Sequence, residues 1–141
     1  MALLPDRSAL IEHLSTHSVK RGDFVLKSGR PTTWFLDSKQ TACDPDGVVL
    51  MTDAALAVIP EGATAIGGIT VGADPVAYGI AAVAATRGRR LRSFTIRKEA
   101  KDHGVQGRVA GALRPGDRVV VDEGTPARGA TGSEAIGVGR E

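Results

Sequence analysis

A chain of 141 residues suits one compact domain, and 42% apolar residues argue against disorder, with few aromatics and so a core of Ala, Val, Ile and Leu. A formal net charge of +2 provides no basic face for a nucleic acid, and the lone Cys43 excludes an internal disulfide and a zinc knuckle and fits a reducing compartment. The opening MALLPDRSALIEHL is not a signal peptide, and no window approaches the roughly 20 apolar residues of a membrane span, so a cytoplasmic protein without nucleic-acid or membrane partners is expected.

Leu10, Ile11 and Leu14 share one helical face, and Asp6 or Ser8 caps the start of that short amphipathic helix. FVLKSGRPTTWFLDS reads as two extended pieces joined by a turn at Gly29-Arg30-Pro31. DPDGVVLMTDAALAVIP reads as a helix with Asp44 or Asp46 near its N-terminus. ATAIGGITV is a buried strand. DPVAYGIAAVAATRG is the next helix, with Pro75 in its first turn and Gly88 as its stop. RSFTIR is a strand, and RPGDRVVVDE is a tight turn followed by another buried strand. TGSEAIGVGRE is a weak helix, since Gly137 and Gly139 each cost about 1 kcal/mol relative to Ala. The alternation after residue 60 predicts a parallel sheet covered by helices. Ligands of such sheets bind beyond the carboxyl ends of the strands, where Gly67 to Asp74, Arg97 to His103 and Asp122 to Gly132 would converge.

Three constellations carry chemistry. In RVVVDEGTPARGATGSEAI a strand ends in Asp122-Glu123 and runs into a Gly/Thr-rich loop before a helix. Loop N–H groups and a helix start suit a phosphate, and the carboxylates suit ribose hydroxyls or a metal ion. The bland alternative is an ordinary turn with a solvated acidic pair. In FTIRKEAKDHGVQGRVAG, Arg97, Lys98, Lys101 and His103 form either a polyphosphate clamp on a glycine-hinged lid or a solvated charged loop. In LKSGRPTTWF, Trp34 and Phe35 beside Lys27 either stack on a planar anion or pack into the core. Arg87, Arg89, Arg90 and Arg92 read as a solvated helix end. His13 and His17 read as surface histidines with no carboxylate partner. A Walker loop and a Gly-x-Ser-x-Gly nucleophile elbow are both absent.

As a set, RKEAKDHG, GDFVLKSGRPTTWFLDS, GGITVGADPVAYGIA and DRVVVDEGTPARGATGSEAI resemble the orotate phosphoribosyltransferase family: its mobile loop, N-terminal hood, pyrophosphate-side loop and phosphoribosyl-diphosphate signature. The resemblance implies an α/β, type I phosphoribosyltransferase-like parallel sheet flanked by helices. It implies one domain over 1–141, with a helix and hood to about residue 40 and a core over about 41–141 that lacks C-terminal strands the family carries. The implied reaction moves a phosphoribosyl group from phosphoribosyl diphosphate to orotate with Mg²⁺. Arg97, Lys98, Lys101 and His103 would be catalytic and would bind the diphosphate together with Lys27. Asp122 and Glu123 would hold the ribose hydroxyls, directly or through the metal shell. Gly124, Thr125, Pro126, Ala127, Arg128, Gly129 and Ala130 would take the 5′-phosphate, and Trp34, Phe35 and Pro126 the orotate. A homodimer sharing the 97–111 loop across its interface is also implied. Pro126 lacks an N–H donor and Ala127 a hydroxyl within the signature, so a non-catalytic diphosphate-binding relative or an inactive fragment stays open beside the transferase.

Overall fold

The computed structural model describes residues 6–104 and 107–123. The expected terminal helix and the signature residues Gly124 to Ala130 lie outside the described residues.

Helix α1 (Ser8–His13) continues into a π-helical turn, Leu14–Ser18. Neither Asp6 nor Ser8 is the N-cap, which is Arg7, but the Asp6 carboxylate, one residue earlier, accepts from the Ser8 N–H at 2.8 Å. Ile11, expected on the inner face, is 60% exposed. That face belongs to Leu10, Leu14 and His13, because His13 finds polar partners beneath it.

Strands β1 (Val19–Val25) and β2 (Pro31–Leu36) form an antiparallel hairpin in a sheet of their own. Gly29, at φ +83°, closes the turn and donates its N–H to the Leu26 carbonyl. A short helix, α2 (Lys39–Ala42), precedes α3 (Pro45–Leu56). Asp44 caps α3, its carboxylate accepting from the Asp46 and Gly47 N–H groups, each at 2.9 Å.

The main sheet holds β3 (Ala65–Ile69), β4 (Arg92–Lys101), β5 (Gly107–Gly111) and β6 (Val119–Val121) in the order β5-β4-β3-β6. Helix α4 (Asp74–Thr86) crosses from β3 to β4. β3 runs parallel to both β4 and β6, as the alternation predicts. β5 runs antiparallel to β4, so the sheet is mixed. The ionic cluster expected as a loop after RSFTIR instead extends β4 through Lys101, paired with Gly107. Charged side chains can continue a strand there because one sheet edge faces solvent.

Every residue of β3 is buried. One apolar cluster, Ile59, Ala63, Ile66, Ala77, Ile80, Ala84 and Leu91, joins the sheet to α3 and α4. Ala65, Ile69, Phe94 and Ile96 form a second cluster. β6 is less buried than expected, with Val119 39% exposed. The basic run is not merely solvated. Arg87 pairs with Asp53 at 3.1 Å, Arg89 donates to the carbonyls of Pro60, Glu61 and Ala63, and Arg92 pairs with Asp117. These arginines tie the helix end to the base of the sheet.

Candidate active site

Asp122 follows β6 directly, and its N–H donates to the Gly67 carbonyl at 2.8 Å. That bond brings the acidic pair over the end of β3. Such closeness needs Gly67 and Gly68. A Cβ on Gly68 would lie 2.2 Å from the Asp122 carbonyl oxygen, and one on Gly67 would lie 2.3 Å from that of Phe94. Beyond these glycines the chain turns through Thr70, Val71, Gly72 and Ala73 into α4, and the Thr70–Val71 peptide is cis.

A cleft of ≈ 390 Å³ opens at this end of the sheet. Its walls are Ile69 at the end of β3, Thr70 to Ala73 after it, Lys98 of β4, Asp122 and Glu123 after β6, and Lys27, Ser38 and Lys39 from the hairpin side. The loop after β3, Lys98 of the charged stretch and the Asp122-Glu123 pair therefore do meet, and the hairpin turn joins them, while residues 124–132 of the third expected segment lie outside the described residues. Both Asp122 carboxylate oxygens are buried without a hydrogen-bond partner among the described residues. Burial, aided by the nearby Asp74 charge, pushes the Asp122 carboxyl up to about 7. A buried carboxylate lacking donors, in a cleft that Lys27 and Lys98 also line, is an incomplete arrangement that a hydroxyl-bearing or cationic ligand would complete.

Other expected site residues lie elsewhere. Arg97 donates to the Gly107 carbonyl at 3.1 Å and so braces the β4–β5 hairpin. Lys101 ends β4, and His103 meets the Asp102 carboxylate at 2.8 Å near the hairpin tip. Neither Lys101 nor His103 lines the cleft. Trp34, 54% exposed, lines a separate concavity with Phe24, Val25 and Pro31. The Phe35 ring sits 6.2 Å from that of Phe24. Phe35 and Trp34 are thus at the hairpin surface, not core residues.

Sequence reasoning overlooked Ser38 and Lys39, whereas Thr70 to Ala73 fall within the expected Gly67 to Asp74 segment, where the strand-end rule points. Lys39 sits in a short helix with no periodic signal. His13 also departs from expectation. Its ring nitrogens lie 3.0 Å from Thr41 Oγ1 and 3.1 Å from the Asp44 carboxylate, and buried Ser18 reaches Thr41 at 2.6 Å. This network locks α1 onto α2 and α3. Asp44 is held below the usual carboxylate range, chiefly by the Gly47 N–H. Among the described residues no group of three metal-ligating side chains occurs, and no helix is long and apolar enough to cross a membrane.

No protein-family model matches the chain. Curated relatives do. The chain is 36% identical over 143 residues to the orotate phosphoribosyltransferase of Aquifex aeolicus, covering 99% of this chain and 78% of that protein. It is 37% identical over 136 residues to the orotate phosphoribosyltransferase of Streptomyces avermitilis, covering 96% and 75%. Among solved structures, Mycobacterium tuberculosis orotate phosphoribosyltransferase in complex with Fe(III) dicitrate superposes with a TM-score of 0.79 at 32% identity, over 96% of this chain and 77% of that one. The same enzyme in complex with 5-phospho-α-D-ribosyl 1-diphosphate gives a TM-score of 0.72 at 29% identity, over 94% and 73%.

Proposed function

The chain belongs to the orotate phosphoribosyltransferase family, and we propose that it transfers the phosphoribosyl group of phosphoribosyl diphosphate to N1 of orotate, yielding orotidine 5′-monophosphate and pyrophosphate for pyrimidine synthesis in the cytoplasm. The observation that carries this reading is one cleft lined by Lys27, Lys98, Glu123 and an Asp122 whose carboxylate has no hydrogen-bond partner among the described residues.

In the reaction the C1′–oxygen bond to the diphosphate breaks and a C1′–N1 bond forms. Positive charge develops on the ribosyl ring and negative charge on the departing diphosphate. Lys27 and Lys98 bind that diphosphate, and their positive charges offset the negative charge that grows on it. Asp122 and Glu123 accept hydrogen bonds from the ribose hydroxyls, which supply the donors Asp122 lacks and favour its ionised form. Trp34 and Phe35 lie on the hood, the N-terminal part of the chain to about residue 40, outside the cleft, and would cover the orotate ring once the hood closes over it. Arg97 stiffens the β4–β5 hairpin, which delivers Lys101 and His103 to the leaving group. Lys101 and His103 point to a hairpin shared across a homodimer, since they lie off their own cleft.

Mg²⁺ fits as a companion of the diphosphate rather than as a caged ion. It takes one or two carboxylates along with substrate phosphates and waters, and the Asp122-Glu123 pair offers that donor set. Bound there, it would neutralise charge on the leaving diphosphate.

Orotate absorbance, followed with phosphoribosyl diphosphate and Mg²⁺, tests the reading. The wild-type chain should consume orotate, and Lys101→Ala should lower kcat by on the order of a hundredfold. Folded wild-type protein that binds phosphoribosyl diphosphate without consuming orotate would instead be a diphosphate-binding relative.

A further inference from the structure

Asp74 is the first residue of α4, where a carboxylate usually serves only the helix dipole. Here it does more. Its Oδ2 accepts from the Thr70 hydroxyl at 2.5 Å, and its Oδ1 accepts from the Thr95 hydroxyl at 2.6 Å. Both oxygens are therefore spent on two hydroxyls, one in the loop after β3 and one on β4.

The backbone repeats the connection. The Thr70 N–H donates to the Ile96 carbonyl of β4 at 2.9 Å, and the Asp74 N–H to the Val71 carbonyl at 3.3 Å. Thr70 is thus held to adjacent residues of β4 twice, once by main chain and once through Asp74. Between these anchors, the N–H groups of Val71 and Gly72 donate to no acceptor among the described residues. A Cβ on Gly72 would meet nothing within 4 Å, and Gly72 lines the cleft. The loop is pinned at its ends and keeps open space and free donors in its middle.

We infer that Asp74 is a positioning residue, a carboxylate clamp between Thr70 and Thr95 that sets the Thr70–Ala73 loop for the diphosphate of the donor substrate. The inference rests on the transfer reading above. Asp74 touches no substrate in this role. It acts through the backbone it holds, and a shift of the loop of about 1 Å is enough to cost up to a hundredfold in rate.

Thr95→Val tests the clamp, because valine keeps the shape and strand propensity of threonine and removes only the hydroxyl. Thr95→Ser, which restores the hydroxyl, is the rescue. Two readouts are taken: hydrogen exchange at the Thr70 amide, and calorimetric affinity for inorganic pyrophosphate with Mg²⁺. Thr95→Val should speed exchange and weaken pyrophosphate binding, each by about tenfold, and Thr95→Ser should restore both. KM for phosphoribosyl diphosphate should rise while KM for orotate stays within about twofold. Wild-type exchange and wild-type affinity in Thr95→Val would overturn the clamp and leave the transfer reading intact. A wild-type chain that binds no pyrophosphate would sink the transfer reading, and the purpose of the clamp with it.

Discussion

Asp122 is held near neutrality by burial and by the Asp74 charge. Its folded pKa of about 7 lies above the ordinary 3.8. The folded chain therefore binds a proton that the unfolded chain releases. The stability this gives is complete below about 3.8 and is lost as pH rises through about 7. A displacement of that size is worth at most about 4 kcal/mol. Asp122→Asn removes the titration but keeps the shape. Its melting temperature should exceed that of wild type at pH 8, and the gap should narrow as pH falls and close below about 3.8. Asp44 and Asp117, held low by the Gly47 N–H and the Thr64 hydroxyl, lose stabilising effect as pH falls, but equally in both chains. Parallel melting curves from pH 5 to 8 would show that Asp122 finds donors in the free protein. Turnover should collapse in the variant, since an amide cannot replace a carboxylate toward two hydroxyls. His13 poses the opposite case, a polar side chain with partners at both nitrogens. His13→Ala leaves Thr41 and Asp44 short of them and should cost about 1–3 kcal/mol in urea unfolding.

At the scale of elements, the glycines of β3 decide how the site is built. Gly67 and Gly68 let β4 and the Asp122 segment approach to distances no side chain would permit. Gly68→Ala would push against both the Asp122 carbonyl and the Ala73 methyl, costing about 1–3 kcal/mol. It should also raise KM for phosphoribosyl diphosphate, because the acidic pair and the loop move together. Unchanged kinetics in a destabilised Gly68→Ala chain would mean the pair is not held by this contact. Much of this was legible in the sequence. β3, α3, α4 and the hairpin follow from apolar runs, Pro75 and Asp44, because those signals are local. The acidic pair and the cations were also visible, since charge after an apolar strand marks a strand end. The extension of β4 through Lys101 was not, because strand pairing with Gly107 overrides a run of charges that alone reads as a loop. The His13 network was hidden for a related reason. Its partners sit 28 and 31 residues away, beyond any helical spacing.

The molecule as a whole sets a problem that one chain does not solve. Pairing with β5 carries β4 outward as a hairpin, so Lys98 reaches the cleft of its own chain while Lys101 and His103 do not. A closed two-fold dimer would resolve this by placing each hairpin tip at the partner's cleft. Complementation separates the arrangements. Lys101→Ala and Asp122→Asn are each expected to be inactive alone. If the hairpin works in trans, a mixed dimer pairs the intact Asp122 of the first variant with the intact Lys101 of the second. One site of that dimer is then wild type and the other carries both lesions. Random association makes half the dimers mixed, so co-expressed variants should regain about a quarter of wild-type turnover. A hairpin that serves its own cleft leaves one lesion in every site, and co-expression would recover nothing. Partial activity near a quarter would therefore place the catalytic lysine on the neighbouring chain and make the dimer the smallest active unit, with donor binding in one chain and leaving-group neutralisation supplied by the other.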